Sequence, residues 1–215
     1  MSEMAPGLSL FIATLVMDGS DATTLRKRLE GFRRDRMRAL VVTGDLGAGI
    51  EVIDDLVAFP GAIIAAIGDE VFDAGLATAL ACDIRVAGES ARMSAGPRVD
   101  AAGFARVAGE TVARDLLLTG RVIGAAEAFA LGLVSKIVPD ADVVDEARDW
   151  GLLVASRAPL SVQANKECLL SQRTTPLREA VRYERQGWAK LQKSKDHKEA
   201  LAAFFAKRPP EFIGE

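Results

Sequence analysis

Hydrophobic and polar positions follow two regimes along the chain. Leu8–Met17 partly alternates, is rich in Leu, Ile and Val, and runs into Asp18-Gly19, which predicts a strand closed by a turn. Leu25, Leu29 and Phe32 then recur on one helical stripe, with Ser20 or Asp21 as the cap. Ala39–Thr43 and Ala62–Ile67 are short apolar runs that predict buried strands. Between them, Gly44, Gly47 and Gly49 predict a loop and Pro60-Gly61 a turn. Gly75 opens a helix of small residues, Leu76–Cys82, and Asp83–Ala87 reads as another strand. This alternation of strands and helices predicts an α/β core.

From Ala108 onward the pattern turns helical. Thr111–Leu118, Ala125–Leu131, Val143–Ser156, Ser161–Ser171, Leu177–Leu191 and Lys195–Ala206 carry helical periodicity. Gly132 stops one helix before a short strand, Leu133–Val138, and Pro139 follows. Leu177, Val181, Trp188 and Leu191 share one face, and Ser194 is positioned to cap the last helix, where Leu201, Phe204 and Phe205 share a side. A boundary near residue 140 divides a mixed core, residues 1–140, from a helical region, residues 141–215. An apolar stripe on a helical tail predicts packing against something, often another subunit.

Composition narrows the chemistry. With 49% hydrophobic and 27% charged residues in 215, the chain is too apolar for disorder and long enough for one substantial core. No apolar run is long enough to span a bilayer, and MSEMAPG places no basic segment ahead of the first apolar stretch, which speaks against a secretory leader. Cys82 and Cys168 do not make a disulfide framework; they read as core thiols in a reducing, cytoplasmic setting. The one histidine, His197, sits at the polar start of the last helix and reads as a surface residue, so neither a metal site nor His-based triad chemistry is expected. A net charge of −3 argues against nucleic-acid binding by the chain as a whole. The Arg-rich run Arg26–Arg38 reads either as an RNA or phosphate patch or as a solvated helix face; with no interleaved aromatic beyond Phe32, the solvated face is preferred.

Three stretches carry a resemblance. Ile63–Arg85, IIAAIGDEVFDAGLATALACDIR, resembles the segment VIAAVNGxxxGGGxELALACDIR of the crotonase superfamily, the enoyl-CoA hydratase/isomerase family. Ala113–Pro139, ARDLLLTGRVIGAAEAFALGLVSKIVP, is similar to that family's LLLTGR…EA…GLV…VVP segment. Ala158–Phe212, closing on EALAAFFAKRPPEF, resembles its C-terminal helices. The resemblance implies a spiral of ββα units with a helical C-terminal region. It also implies assembly as a trimer or hexamer, or with another crotonase, and binding of acyl-CoA thioesters with no further cofactor. Such proteins hold the thioester oxygen between two backbone N–H groups, which stabilise the charge that develops there. By the match, the donors are Ala74, at the middle Gly of GGG, and Ile50, after the Ala48-Gly49 pair. Phe204 and Lys207 match positions that contact CoA; the bland alternative is a core Phe and a solvated Lys.

The same alignment shows departures. The two hydratase glutamates fall at Ala77 and at Pro97 or Arg98, and the nearest acid to the second is Asp100. The segments after Glu51 and after Asp100 are shorter than in the family. Asp73 replaces the first Gly of GGG, and Glu51, Asp54 and Asp55 stand where the family often has a basic residue. Asp73, Asp69 and Glu70 are the candidates for a relocated acid–base cluster. The alternative is a decayed or binding-only site, or a non-catalytic assembly subunit; the absent acids and trimmed segments favour it. Weak or no hydration activity is the expectation.

Overall fold

The computed structural model describes residues 8–172 and 174–215, so the opening stretch read for a leader lies outside the described residues. Five parallel strands form the main sheet, in the order β1 (Ile12–Met17), β2 (Ala39–Gly44), β3 (Ala62–Ile67), β5 (Ile84–Gly88) and β8 (Lys136–Val138). A smaller sheet pairs β4 (Glu70–Phe72) parallel to β6 (Arg92–Ser94), and β6 antiparallel to β7 (Ile123–Gly124). The helices are α1 (Ala22–Arg34), α2 (Ile53–Val57), α3 (Ala74–Ala81), α4 (Ala101–Ala108), α5 (Glu110–Thr119), α6 (Ala125–Ala130), α7 (Val143–Ala155), α8 (Pro159–Ser171), α9 (Leu177–Leu191) and α10 (Lys195–Ala206). Among the described residues no helix is long and apolar enough to cross a membrane.

The strands are unbroken apolar runs because both faces of the main sheet are covered. The side chains alternate with a period of two. Leu40, Val42, Ile63, Ala65 and Ile67 enter the larger core, while Ala39, Val41, Ile64 and Ala66 meet Val143 and Ala147 of α7. Small residues let α7 sit close: a Cβ on Gly151 would stand 3.3 Å from the Ile12 side chain. The helical region therefore shares a core with the sheet from its first helix.

Several local readings change. Leu8–Phe11 forms a 3₁₀ turn, so the first strand begins only at Ile12. The glycine-marked segment after β2 is not a loop: Leu46–Val52 winds as a 3₁₀ helix and α2 continues it. The strands β4, β6 and β7 and the helix α4 have no counterpart in the predicted pattern. Strands of two or three residues give no period to read, and α4 exists because Asp100 accepts from Ala102 N–H at 3.2 Å and Gly103 N–H at 2.9 Å.

The residues that carry the family resemblance prove to be scaffold. Arg85 donates to Leu133 O at 2.6 Å and Cys82 O at 2.8 Å, tying the end of α3 to the strand region beyond Gly132. Arg121 forks between Asp115 and Glu127 at 2.5 and 2.7 Å, fixing the turn between α5 and α6. Asp83 accepts from Ile63 N–H and from the Lys166 ammonium, both at 2.8 Å, and so fastens α8 to the sheet. At the C-terminal end Asp196, almost fully buried, accepts from Ile213 N–H at 2.8 Å, and Arg38 donates to Phe212 O at 2.6 Å while lying over the Phe11 ring. Cys82 is buried, which pushes its thiol up to about 12; Cys168 is buried too, and both are free.

Candidate functional site

Asp residues at some helix starts here act as caps, while Asp142 before α7 does not. Asp21 accepts from Thr24 N–H at 2.7 Å, and Asp100 caps α4. Asp73 occupies the same position before α3 but makes no side-chain cap. Its carboxylate turns away and accepts Arg98 N–H at 2.7 Å, with the Arg98 Nε at 3.8 Å. The backbone at Asp73 has φ +45° and ψ −102°, a conformation that L side chains rarely adopt. The hydrogen bond from Asp73 N–H to Ser94 O at 3.1 Å helps hold it there. Among the described residues no side-chain cap therefore occupies the start of α3, beginning with Ala74, at the positive end of the helix.

The 3₁₀ helix Leu46–Val52 packs against this start. A Cβ on Gly75 would lie 3.6 Å from Gly47 N, and one on Gly49 would lie 2.6 Å from Thr78 Cγ2 and 3.1 Å from Met17 Cε. Glycine at 49 is thus what brings the Ile50 segment and α3 into contact. Ile50 itself lies in the last turn of the 3₁₀ helix. N–H groups there point to the carbonyl three residues back, so Ile50 N–H would serve a ligand as a shared donor. Gly49→Ala is expected to lower stability by about 1–3 kcal/mol through overpacking. Adding Thr78→Ala recovers most of the loss by removing the methyl at 2.6 Å. Thermal unfolding of the single and double variants checks this, and a Gly49→Ala protein as stable as its parent refutes the close approach.

The acidic candidates do not converge. Glu70 pairs with Arg92 across β4 and β6 at 3.0 Å, Asp69 is exposed beside it, and Asp73 is engaged by Arg98. Ala77 lies within α3 and is half-buried, while Pro97 and Arg98 are exposed. The acids after Glu51 meet the basic helix: Arg26 binds Asp55 at 3.0 Å and Glu51 O at 2.7 Å, and Arg33 binds Asp55 O at 2.7 Å. Arg26 is thus paired with Asp55, which reduces the repulsion that this one acid would exert on a phosphate.

Phe204 is not a core residue. It is 76% exposed, edge-on to Phe205 with ring centroids 5.7 Å apart, and Lys207 ends α10 in a left-handed conformation, exposed. Among the described residues no group of three or more His, Cys, Asp or Glu side chains is placed to hold a metal ion. Two cavities, of about 620 and 360 Å³, lie elsewhere: one between α8 and α9, the other between α8 and the end of α3. The role of Asp73 at the helix start was hidden in the sequence. Only its place in a glycine position marked it.

Comparison with known proteins gives consistent results. The pattern of the enoyl-CoA hydratase/isomerase family matches residues 47–215. The (E)-benzylidenesuccinyl-CoA hydratase of Thauera aromatica is 38% identical over 161 residues, 71% of this chain and 62% of that protein. The 2,3-dehydroadipyl-CoA hydratase of Escherichia coli is 34% identical over 167 residues, 74% of this chain and 66% of that one. The chain thus spans less than two thirds of the length of these curated relatives. Among solved structures, a probable enoyl-CoA hydratase/isomerase from Mycobacterium abscessus superposes with TM-score 0.85 at 25% identity, covering 95% of this chain and 96% of that one. An enoyl-CoA hydratase from Bacillus anthracis superposes with TM-score 0.84 at 24% identity over the same shares of the two chains, a likeness of fold.

Proposed function

Because the chain belongs to the enoyl-CoA hydratase/isomerase family, we propose that it binds acyl-CoA thioesters at the start of α3 with little of the usual hydration chemistry. The observation that carries this reading is the uncapped helix start behind Asp73. Ala74 N–H is the principal donor to the thioester oxygen and Ile50 N–H the second. Fixed backbone donors at a helix N-terminus polarise a carbonyl without help from side chains, so they function although Ala77, and Pro97 or Arg98, stand at the matched glutamate positions. Asp73 would oppose negative charge on that oxygen. Its engagement by Arg98 lessens the effect.

Titration with a panel of CoA esters, read by calorimetry and thermal shift, tests the reading. A ligand specific to the folded state stabilises it by RT ln(1 + [L]/Kd), about 2.7 kcal/mol at a hundredfold excess over Kd. No shift with any CoA compound overturns thioester binding. That outcome favours the second reading, a non-catalytic subunit that assembles with an active crotonase, which the exposed Leu201, Phe204 and Phe205 on α10 support. Mass measurement in solution decides it, and a monomer at working concentration removes it.

A further inference from the structure

The smaller cavity, about 360 Å³, lies at the other end of α3 from the thioester donors. An eight-residue helix is about 12 Å long, so the two places are separate. Leu80 at the end of α3, Val107 of α4 and Val162, Leu169 and Leu170 of α8 form its apolar wall. Its polar groups carry an unbalanced charge. Asp83 is satisfied by Ile63 N–H and Lys166. Arg85, which also lines the cavity, donates to Ala79 O at 3.3 Å and Cys82 O at 2.8 Å, so its positive charge offsets part of the negative pole at the end of α3. Lys166 is only 9% exposed and donates to Gly61 O and Asp83; an ammonium has three donors, so one remains. Arg157 lines the mouth, exposed, and its guanidinium has no hydrogen bond or ion pair among the described residues.

We propose that this cavity binds an aliphatic carboxylate of medium chain length, with the chain between α3 and α8 and the carboxylate at Arg157 and the free Lys166 donor. The volume sits at the low end of ligand pockets, which suits one unbranched chain and not a nucleotide. A single uncommitted guanidinium beside a buried ammonium suits one carboxylate, which it can bind bidentately. This site is independent of the thioester reading.

Calorimetric titration with decanoate, kept below its self-association limit, and with decanol as the uncharged control tests the proposal. Saturable one-to-one binding of decanoate is expected, with decanol at least about tenfold weaker. Arg157→Glu, at an exposed position, is expected to weaken decanoate about tenfold or more and leave decanol unchanged, whereas Arg157→Lys retains most of the affinity. Val162→Phe, which fills the cavity, is expected to weaken both ligands and leave CoA-ester binding as in the parent, which separates failure here from failure of the thioester reading. Non-saturable binding overturns the proposal. So does equal affinity for acid and alcohol, or decanoate affinity unchanged in Arg157→Glu or in Val162→Phe.

Discussion

Hydration of a short 2-enoyl-CoA by this chain is expected to run roughly 10²–10⁴-fold below that of a hydratase carrying both glutamates. Hydration needs one group to take a proton from water and another to deliver one to the α-carbon. Ala77, and Pro97 or Arg98 at the second matched position, can do neither. The nearby carboxylates are already committed: Asp73 accepts Arg98 N–H, Glu70 pairs with Arg92, and Asp100 caps α4. On the proposed reading, what remains is polarisation of the carbonyl, which lowers the barrier without moving protons. Loss of two groups that act together is not additive, so the absence of both does not multiply the deficit of one. Loss of the conjugated thioester absorbance measures the rate. Turnover within tenfold of a two-glutamate hydratase sinks the expectation and makes Asp73 the first residue to test.

Asp83→Ala is expected to cost about 3 kcal/mol of stability, lowering the unfolding midpoint by roughly 6–12 °C for a chain of this size. The substitution strips Lys166 of its carboxylate partner, leaving only Gly61 O, and removes the acceptor of Ile63 N–H. Lys166 is buried, so its ammonium cannot recover hydration in place. Asp83 is partly exposed, which puts the loss at the low end for a buried pair. Removing the charge as well, in Asp83→Ala with Lys166→Met, is expected to recover part of the loss. An apolar chain in a buried position carries no desolvation penalty. Urea unfolding checks both variants; a single variant within ~0.5 kcal/mol of the parent refutes a structural role for the pair.

Both expectations show how unevenly the sequence speaks. Leu177–Leu191 and Lys195–Ala206 are found at the predicted bounds, because long amphipathic helices repeat their period several times and Ser194 supplies a cap. The caps of α1 and α10 were legible for the same reason: a short polar side chain ahead of a periodic run has one favourable use. Gly44, Gly47 and Gly49 misled, since glycine marks either a flexible turn or a close approach, and only the position of Thr78 shows that Gly49 is the second kind. Phe204 read as core or ligand contact from sequence and is exposed, because a helical period gives the face but not what covers it.

By itself, the sequence determined the alternation of strands and helices and the family. These follow from local periodicity, from residue identity and from contiguous motifs. Only the tertiary structure decided that Asp73 bonds to Arg98, leaving α3 without a side-chain cap, that Arg26 of the basic helix pairs with Asp55, and that Lys166 reaches Asp83 across 83 positions. Each is a contact between groups far apart in the chain. Whether a carboxylate caps, pairs or stays free is settled by which donors the fold brings within about 3 Å, and no local pattern contains that distance.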